Sequence, residues 1–172
     1  MLAKNHVDFE KDIVGPNLLQ KTVKVSNRQL SKIVLNRLSY LSPALLHLVA
    51  NASSKKASQA LLVGVIHNSA VVGEFLRLIV AESHRQMKKQ LRKADWDDFL
   101  VICEASNPSI ANWADSTKAK NRANLWRILY EVGYIKSTKD PQLLPFYLYP
   151  EISTALKKEG MLRVLDCMDV CK

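Results

Sequence analysis

The chain has 172 residues, of which 48% are hydrophobic, and a formal net charge of +9 at pH 7. This size and composition exclude wholesale disorder and predict one compact helical domain over residues 1–172, because strong helix formers are common while Gly and Pro are scarce. The positive charge favours a polyanion, with nucleic acid ahead of an anionic membrane surface, and the alternative is charge that serves solubility alone.

The first predicted helix spans residues 26–41, after a short apolar segment at 17–25. "SNRQ" at 26–29 predicts a capping box with Ser26 as the N-cap. One face of this helix is apolar, and the opposite face carries Arg28, Lys32 and Asn36. Pro43 predicts the start of a second, short helix, and "SSKK" at 53–56 predicts the cap of a longer third one.

The most apolar stretch, residues 60–81, contains Glu74 and Arg77. Each ionised group at mid-membrane costs about 2.5 to 3.5 kcal/mol, so we interpret this stretch as two buried helices of a soluble core. "MLAKNHVDFEKD" at the start is too polar for a signal sequence. We therefore expect a cytoplasmic protein without membrane contact.

A basic run follows in a helix predicted over residues 71–93. Its apolar first half predicts core, and its second half carries Arg85, Lys88, Lys89, Arg92 and Lys93. Such a run is either a solvated helix end or a phosphate-binding patch. Asp95 is then the predicted N-cap of the next helix, with Asp97 and Asp98 in its first turn.

Residues 116–135, "STKAKNRANLWRILYEVGYI", form the last long predicted helix. We expect Ser116 or Thr117 as its N-cap and Gly133 as its C-terminal glycine. Residues 140–151 are predicted to be extended with at most a minor β-hairpin near 140–150, and a final helix is predicted from Glu151 to Lys158.

The basic residues of this last long helix have two interpretations. Lys120 and Arg127 lie opposite the apolar sector, whereas Lys118 and Arg122 extend that sector toward the N-terminus. A helix N-terminus rich in Ser, Thr and Lys is typical of a helix-turn-helix that meets DNA, and the extended segment after it is typical of a winged variant. The alternative is an ordinary amphipathic helix with a solvated face.

Catalytic and metal-binding patterns are missing from the sequence. It contains no glycine-rich phosphate loop, nucleophile elbow or His-Glu metal motif, and the acidic residues at 95–104 lack the partners of a metal-dependent nuclease. Cys103, Cys167 and Cys171 have neither a disulfide-framework nor a zinc-site pattern. We therefore expect no enzyme activity, no cofactor, no metal and no small-molecule substrate.

Three blocks of sequence resemble the BrxA family of BREX bacteriophage-exclusion systems, proteins once described as putative inner-membrane proteins. The blocks are "NLLQKTVKVSNRQLSKIVLNRLSYLS" at 17–42, "WDDF" at 96–99 and "STKAKNRANLWRILYEVGYI" at 116–135, and "LYPEISTALKKEG" at 148–160 also fits. The chain departs from the family pattern at its start, where members usually carry a further helix before the segment matching "DFEKDIV" at 8–14.

This resemblance implies a soluble, mostly helical protein whose helix-turn-helix-like ends bind double-stranded DNA. Within the single predicted domain, the candidate sub-units are an N-terminal helix-turn-helix-like part (1–50), a helical core (51–105) and a C-terminal winged-helix-like part (106–172). It also implies that the protein acts beside the methyltransferase, ATPase and phosphatase-like component of BREX. The candidate DNA-binding residues are Lys24, Arg28, Lys32, Arg37, Lys118, Lys120, Arg122 and Arg127.

We therefore expect a non-enzymatic, duplex-DNA-binding component of a BREX phage-resistance system. Its affinity would come mainly from Lys and Arg contacts to phosphate, with modest sequence preference. The alternatives are an adaptor between defence proteins and a helical RNA-binding protein.

Overall fold

A computed structural model describes residues 24–171 of the protein, with side chains from residue 27 onward. Residues 17–23 of the predicted apolar segment at 17–25 lie outside the described residues, as does the segment matching "DFEKDIV"; residues 24–25 of the apolar segment belong to the first helix. The described chain is all-α, as predicted. Its helices are α1 (Lys24–Leu38), α2 (Pro43–Asn51), α3 (Ser54–Asn68), α4 (Ala70–Phe75), α5 (Ala81–Arg85), α6 (Lys93–Ser106), α7 (Asp115–Val132), α8 (Pro150–Lys158) and α9 (Leu162–Met168).

Most helix ends follow the local signals in the sequence. Ser42 caps α2 by accepting a hydrogen bond from the Leu45 N–H at 3.3 Å, and Pro43 is the first helical residue. Gly133 ends α7 in the left-handed region with φ 98°, as predicted. The predicted N-caps of two helices were wrong: α7 begins at Asp115 after Ala114, and α1 already includes Lys24, so Ser26 lies inside its first turn. Neither Gly nor Pro occurs between Lys24 and Ser26, so the helix includes the residues on both sides of Ser26.

The helix predicted over residues 71–93 is shorter than expected. A π-helical turn, Leu76–Val80, joins α4 to α5, and the helix ends at Arg85. Met87 then takes a left-handed conformation with φ 51°, which turns the chain out of the helix. The basic residues Lys88, Lys89 and Arg92 therefore lie in a loop rather than on a helix.

This basic loop is held by backbone pairing with the extended segment after α7. The Leu91 N–H donates to the Pro141 carbonyl and the Leu143 N–H donates to the Lys89 carbonyl, both at 3.0 Å. Isolated antiparallel bridges join Gln90 to Gln142 and Ile135 to Leu143. The prediction of an extended segment with minor β pairing is thus confirmed.

Two further expectations at helix ends need correction. Asp95 is not the N-cap of α6, since Arg92 occupies that position; Asp95 is the third helical residue and accepts the Arg92 N–H at 2.6 Å. Asp97 and Asp98 consequently fall beyond the first turn.

The C-terminal residues, for which no helix was predicted, form α9, and the Tyr134 hydroxyl donates to the Met168 carbonyl there at 2.8 Å. Burial raises the pKa of Tyr134 well above its ordinary value.

Helix α3 contributes many buried residues to the core, which also contains an aromatic cluster. Phe75 lies 5.1 Å from Phe99, 6.0 Å from Trp96 and 5.6 Å from Trp126 between ring centroids, which ties α4, α6 and α7 together. None of the described helices alone is long and apolar enough to cross a membrane; one pair, Ser54–Asn68 with Ala70–Arg85, passes that test jointly but bends by 115°. Helix α7 packs against this core and leaves its outer face exposed to solvent.

Candidate nucleic-acid interface

The two faces of α7 are those that its periodicity predicts. Leu125, Leu129 and Val132 are buried in the core, while the predicted opposite face is exposed. Lys118 and Arg122, which extend the apolar sector, are half-buried. The helix thus carries Lys118 and Arg122 at the edge of the core, and Lys120 and Arg127 on its exposed face.

A groove lies beside α7, between this helix and the segment around residues 138–141, and we call it the basic groove. Arg122 and Arg127 line one wall, and Lys93 and Lys139 come from the chain that faces them. Trp126 and Tyr130 belong to the wall that α7 forms. The groove encloses about 730 Å³. Four cations from three separate parts of the sequence therefore converge on one concave surface.

The backbone pairing of the basic loop explains this convergence. The hydrogen bonds between residues 89–91 and 141–143, with a further one from the Lys136 N–H to the Gln142 carbonyl at 2.9 Å, fix the facing wall. Because Lys93 begins α6 directly after the loop, its position is set by the same pairing. Of the basic run in the sequence, Lys93 thus becomes part of the groove lining through contacts between segments far apart along the chain.

Positive charge dominates the basic groove. Glu131 is its acidic lining residue, and it accepts a hydrogen bond from Arg127 Nε at 2.9 Å. Lys93 Nζ lies 3.8 Å from an Asp97 carboxylate oxygen, while within residues 24–171 no ion pair involves Arg122 or Lys139. Like charges in a concave surface reinforce one another's potential, so the groove attracts polyanions more strongly than the same side chains on a flat surface.

The other candidate residues on α7 lie away from the groove lining. Lys118 Nζ is 3.6 Å from a Glu104 carboxylate oxygen on α6, so this cation is partly neutralised. Lys120 is exposed and, within the described part of the chain, forms no ion pair. Both residues are in the first two turns of α7, ahead of the groove.

The candidate residues of α1 form a separate group. Lys24 is the first residue of α1, and it precedes residue 27, where the description of side chains begins. Arg28 and Lys32 are exposed. Arg37 is half-buried and lines a second, mostly apolar groove of about 240 Å³ between α1, α3 and α7, with Glu131 also in its lining. The structure therefore brings Arg122 and Arg127 together but not these residues with them.

Sequence reasoning missed part of this site. Lys93 was included in the basic run, but nothing in the local sequence connected it to α7. Lys139 and Tyr130 carried no signal, because their place in the groove depends on the turn after α7 and on the pairing at 140–143. A residue's presence in such a groove follows from tertiary contacts that periodicity does not report.

The described residues form no cluster of three or more His, Cys, Asp or Glu side chains that could hold a metal. Cys103, Cys167 and Cys171 are free thiols, and burial raises the pKa of both Cys103 and Cys167. Glu74 is engaged in ion pairs with Arg77 at 2.6 Å and Arg163 at 3.0 Å. The Glu74–Arg163 ion pair connects α4 to α9.

The fold and the groove define a small all-α protein with a basic groove beside a core helix. The BrxA family model matches residues 2–160, so the chain belongs to the BrxA family. This assignment confirms the resemblance found in the sequence and makes the protein a component of a BREX phage-defence system.

Individual relatives agree with the assignment. The chain is 31% identical to the BREX protein BrxA of Paramagnetospirillum magneticum (strain ATCC 700264 / AMB-1) over 154 residues, 90% of this chain and 77% of that protein. It is 29% identical to the BREX protein BrxA of Escherichia coli O9:H4 (strain HS) over 161 residues, 94% of this chain and 76% of that protein. These relatives are named as BREX proteins, without an enzymatic activity.

A solved structure shares the fold. The chain is similar to an uncharacterized protein from Magnetospirillum magneticum with a TM-score of 0.78 and 31% identity. The similarity covers 90% of this chain and 79% of the crystallised one. Most of the fold described above therefore has a counterpart in a crystal structure.

Proposed function

We propose that the protein is a non-enzymatic, double-stranded-DNA-binding component of its BREX system and that the basic groove supplies its main phosphate contacts. The observation that carries the proposal is the convergence of Lys93, Arg122, Arg127 and Lys139 around one acidic residue. Cations of this kind bind the sugar-phosphate backbone irrespective of sequence, so modest sequence preference is expected. DNA binding also implies a cytoplasmic location.

The helix order supports helix-turn-helix-like ends as part of this proposal. Residues 39–42 connect α1 to α2 in a short turn, which is the connection length of that motif. However, α2 contains neither Lys nor Arg, so the phosphate contacts of this end would come from α1, where Arg28 and Lys32 are exposed. At the other end, the order α7, extended segment and α8 is that of a winged variant, and the basic groove lies there.

Salt-dependent binding tests the proposal. Fluorescence anisotropy of a labelled random-sequence duplex should show binding whose log affinity falls linearly with log salt. Four phosphate contacts predict a slope of about −3.6, at about −0.9 per contact. Absence of binding at low salt, or binding that salt does not weaken, would rule the proposal out. Tighter binding to a structured RNA competitor would instead favour an RNA-binding protein.

One surface favours a second candidate function, an adaptor that holds other BREX proteins. The outer face of α6 exposes Val101 by 67% and Ile102 by 50%, next to the exposed carboxylates of Asp97 and Asp98. In a strongly basic chain, an acidic and apolar face suits a partner with basic and apolar side chains. If Val101→Ser and Ile102→Ser leave co-purification of the methyltransferase, ATPase and phosphatase-like component unchanged, this candidate fails.

A further inference from the structure

Tyr130 lies in the basic groove with 50% of its side chain exposed. A duplex offers such a ring little to contact, because the faces of its bases are stacked on one another and only their edges reach the grooves. An unpaired base has a free face. Proteins that hold single strands combine a basic groove with exposed aromatic side chains for this reason.

We propose that the basic groove holds an unpaired nucleotide of DNA at the end of a duplex, with Tyr130 as the surface on which its base stacks. This inference rests on the proposed function, since the same groove supplies the phosphate contacts. It adds a DNA structure that the protein prefers: a duplex that ends in a single-stranded tail.

The arrangement along α7 fits one nucleotide with its phosphates. Arg122, Trp126 and Tyr130 recur at every fourth residue and so lie on one face, about 6 Å apart along the helix axis. Arg127 lies one turn before Tyr130, where its guanidinium can reach a phosphate next to the stacked base. Arg127 and Tyr130 therefore offer a cation and a ring within one helical turn of each other.

The part of α7 that carries Tyr130 packs against the core. Trp126 is buried and its ring packs 5.6 Å from that of Phe75, so the α7 wall next to Tyr130 is part of the core. A rigid wall lowers the entropy lost when a base is held against it. The basic groove therefore offers a fixed surface for stacking.

The facing wall offers the remaining contacts. Pro141 contributes apolar surface, Thr138 an exposed hydroxyl for a base edge, and Lys139 a cation for phosphate. The volume of about 730 Å³ falls in the range of about 300 to 1,000 Å³ that small-ligand sites occupy. It is large enough for one nucleotide.

The test compares a blunt duplex with the same duplex carrying a five-nucleotide single-stranded tail, whose first unpaired base is 2-aminopurine. Anisotropy measures affinity and 2-aminopurine quenching measures stacking. The variants are Tyr130→Ala, Tyr130→Phe and Tyr147→Ala; Tyr147 is 81% exposed and lies outside the groove lining, so its variant is the matched control.

Wild type should bind the tailed duplex about 5- to 140-fold more tightly than the blunt one, the range of one base–aromatic stack. Tyr130→Ala should lose this preference and the quenching, so that it binds the tailed and the blunt duplex with equal affinity. Tyr130→Phe and Tyr147→Ala should retain both.

Equal affinity of wild type for the two duplexes would overturn the inference, as would quenching that survives in Tyr130→Ala. A tailed duplex that binds where a blunt one does not would contradict the proposed duplex binding and leave the stacking site standing. Binding to neither duplex would contradict both.

Discussion

Gly64 allows α1 and α3 to approach each other closely. A Cβ atom at this position would lie 2.2 Å from the Arg37 carbonyl oxygen, which is a backbone atom that cannot move without moving α1. Alanine favours helices over glycine by about 1 kcal/mol, but overpacking of a core costs about 1 to 3 kcal/mol. At 2.2 Å we expect the clash to dominate.

We predict that Gly64→Ala lowers the free energy of unfolding by about 2 kcal/mol and the melting temperature by about 4 to 8 °C, measured by thermal unfolding. Gly73→Ala is the matched control. Its Cβ would lie 3.0 Å from Ile66 Cγ2 and 3.3 Å from Cys167 Sγ, which are side-chain atoms able to shift. A Gly64→Ala variant as stable as wild type would show that α1 does not pack on α3 in this way.

At the scale of single helices, an ion-pair network joins α4 to α9. Glu74 accepts hydrogen bonds from Arg77 Nη2 at 2.6 Å and from Arg163 Nη2 at 3.0 Å. Burial raises the pKa of Glu74, but the two guanidinium groups outweigh it, so the pKa lies below its ordinary value. The folded state therefore keeps this carboxylate ionised at a pH where the unfolded chain takes up a proton.

The stabilisation by Glu74 is consequently complete above the unfolded-state pKa of about 4.3 and is lost as the pH falls through the lower folded-state pKa. We predict that Glu74→Gln reduces the loss of stability between about pH 5 and pH 3, measured by urea unfolding at several pH values. Glu82→Gln, which removes an exposed ion pair with Arg85, is the control and should follow wild type. The same acid-limb slope in Glu74→Gln and wild type would refute the assignment.

The sequence predicted those elements whose signals are local. Leu125, Leu129 and Val132 recur at helical spacing, and Gly133 marks the end of α7, so this helix could be oriented correctly from the sequence alone. The basic loop could not be predicted, because its conformation depends on Met87 and on pairing with residues some 50 positions later. The seven-residue α9 is too short for its periodicity to be distinctive.

At the scale of the whole molecule, we propose that the chain folds as one domain. Buried apolar residues from Leu41 to Val170 form one core cluster. Thermal unfolding of wild type and of Gly64→Ala should then each show one transition. The basic groove belongs to this unit, because both of its walls are anchored in the same core.

The candidate site shows the same limit of prediction at this scale. Arg122 and Arg127 could be chosen from the sequence, since both lie in one basic helix, but Lys139 could not be paired with them without the fold. Arg28 and Lys32 were chosen on equal grounds, yet they lie on α1, outside the groove lining. Charge in a sequence indicates a polyanion partner, and only the fold indicates where the charges meet.

The most direct test of the groove is a comparison of salt slopes between two double variants. Lys93→Ala with Lys139→Ala removes two groove cations, and Arg28→Ala with Lys32→Ala removes the same charge from α1. On a duplex DNA, the groove variant should flatten the slope of log affinity against log salt by about 1.8, at about 0.9 per lost contact, and the α1 variant should flatten it less. An unchanged slope in the groove variant, with a flattened slope in the α1 variant, would contradict the assignment of the groove as the main DNA interface.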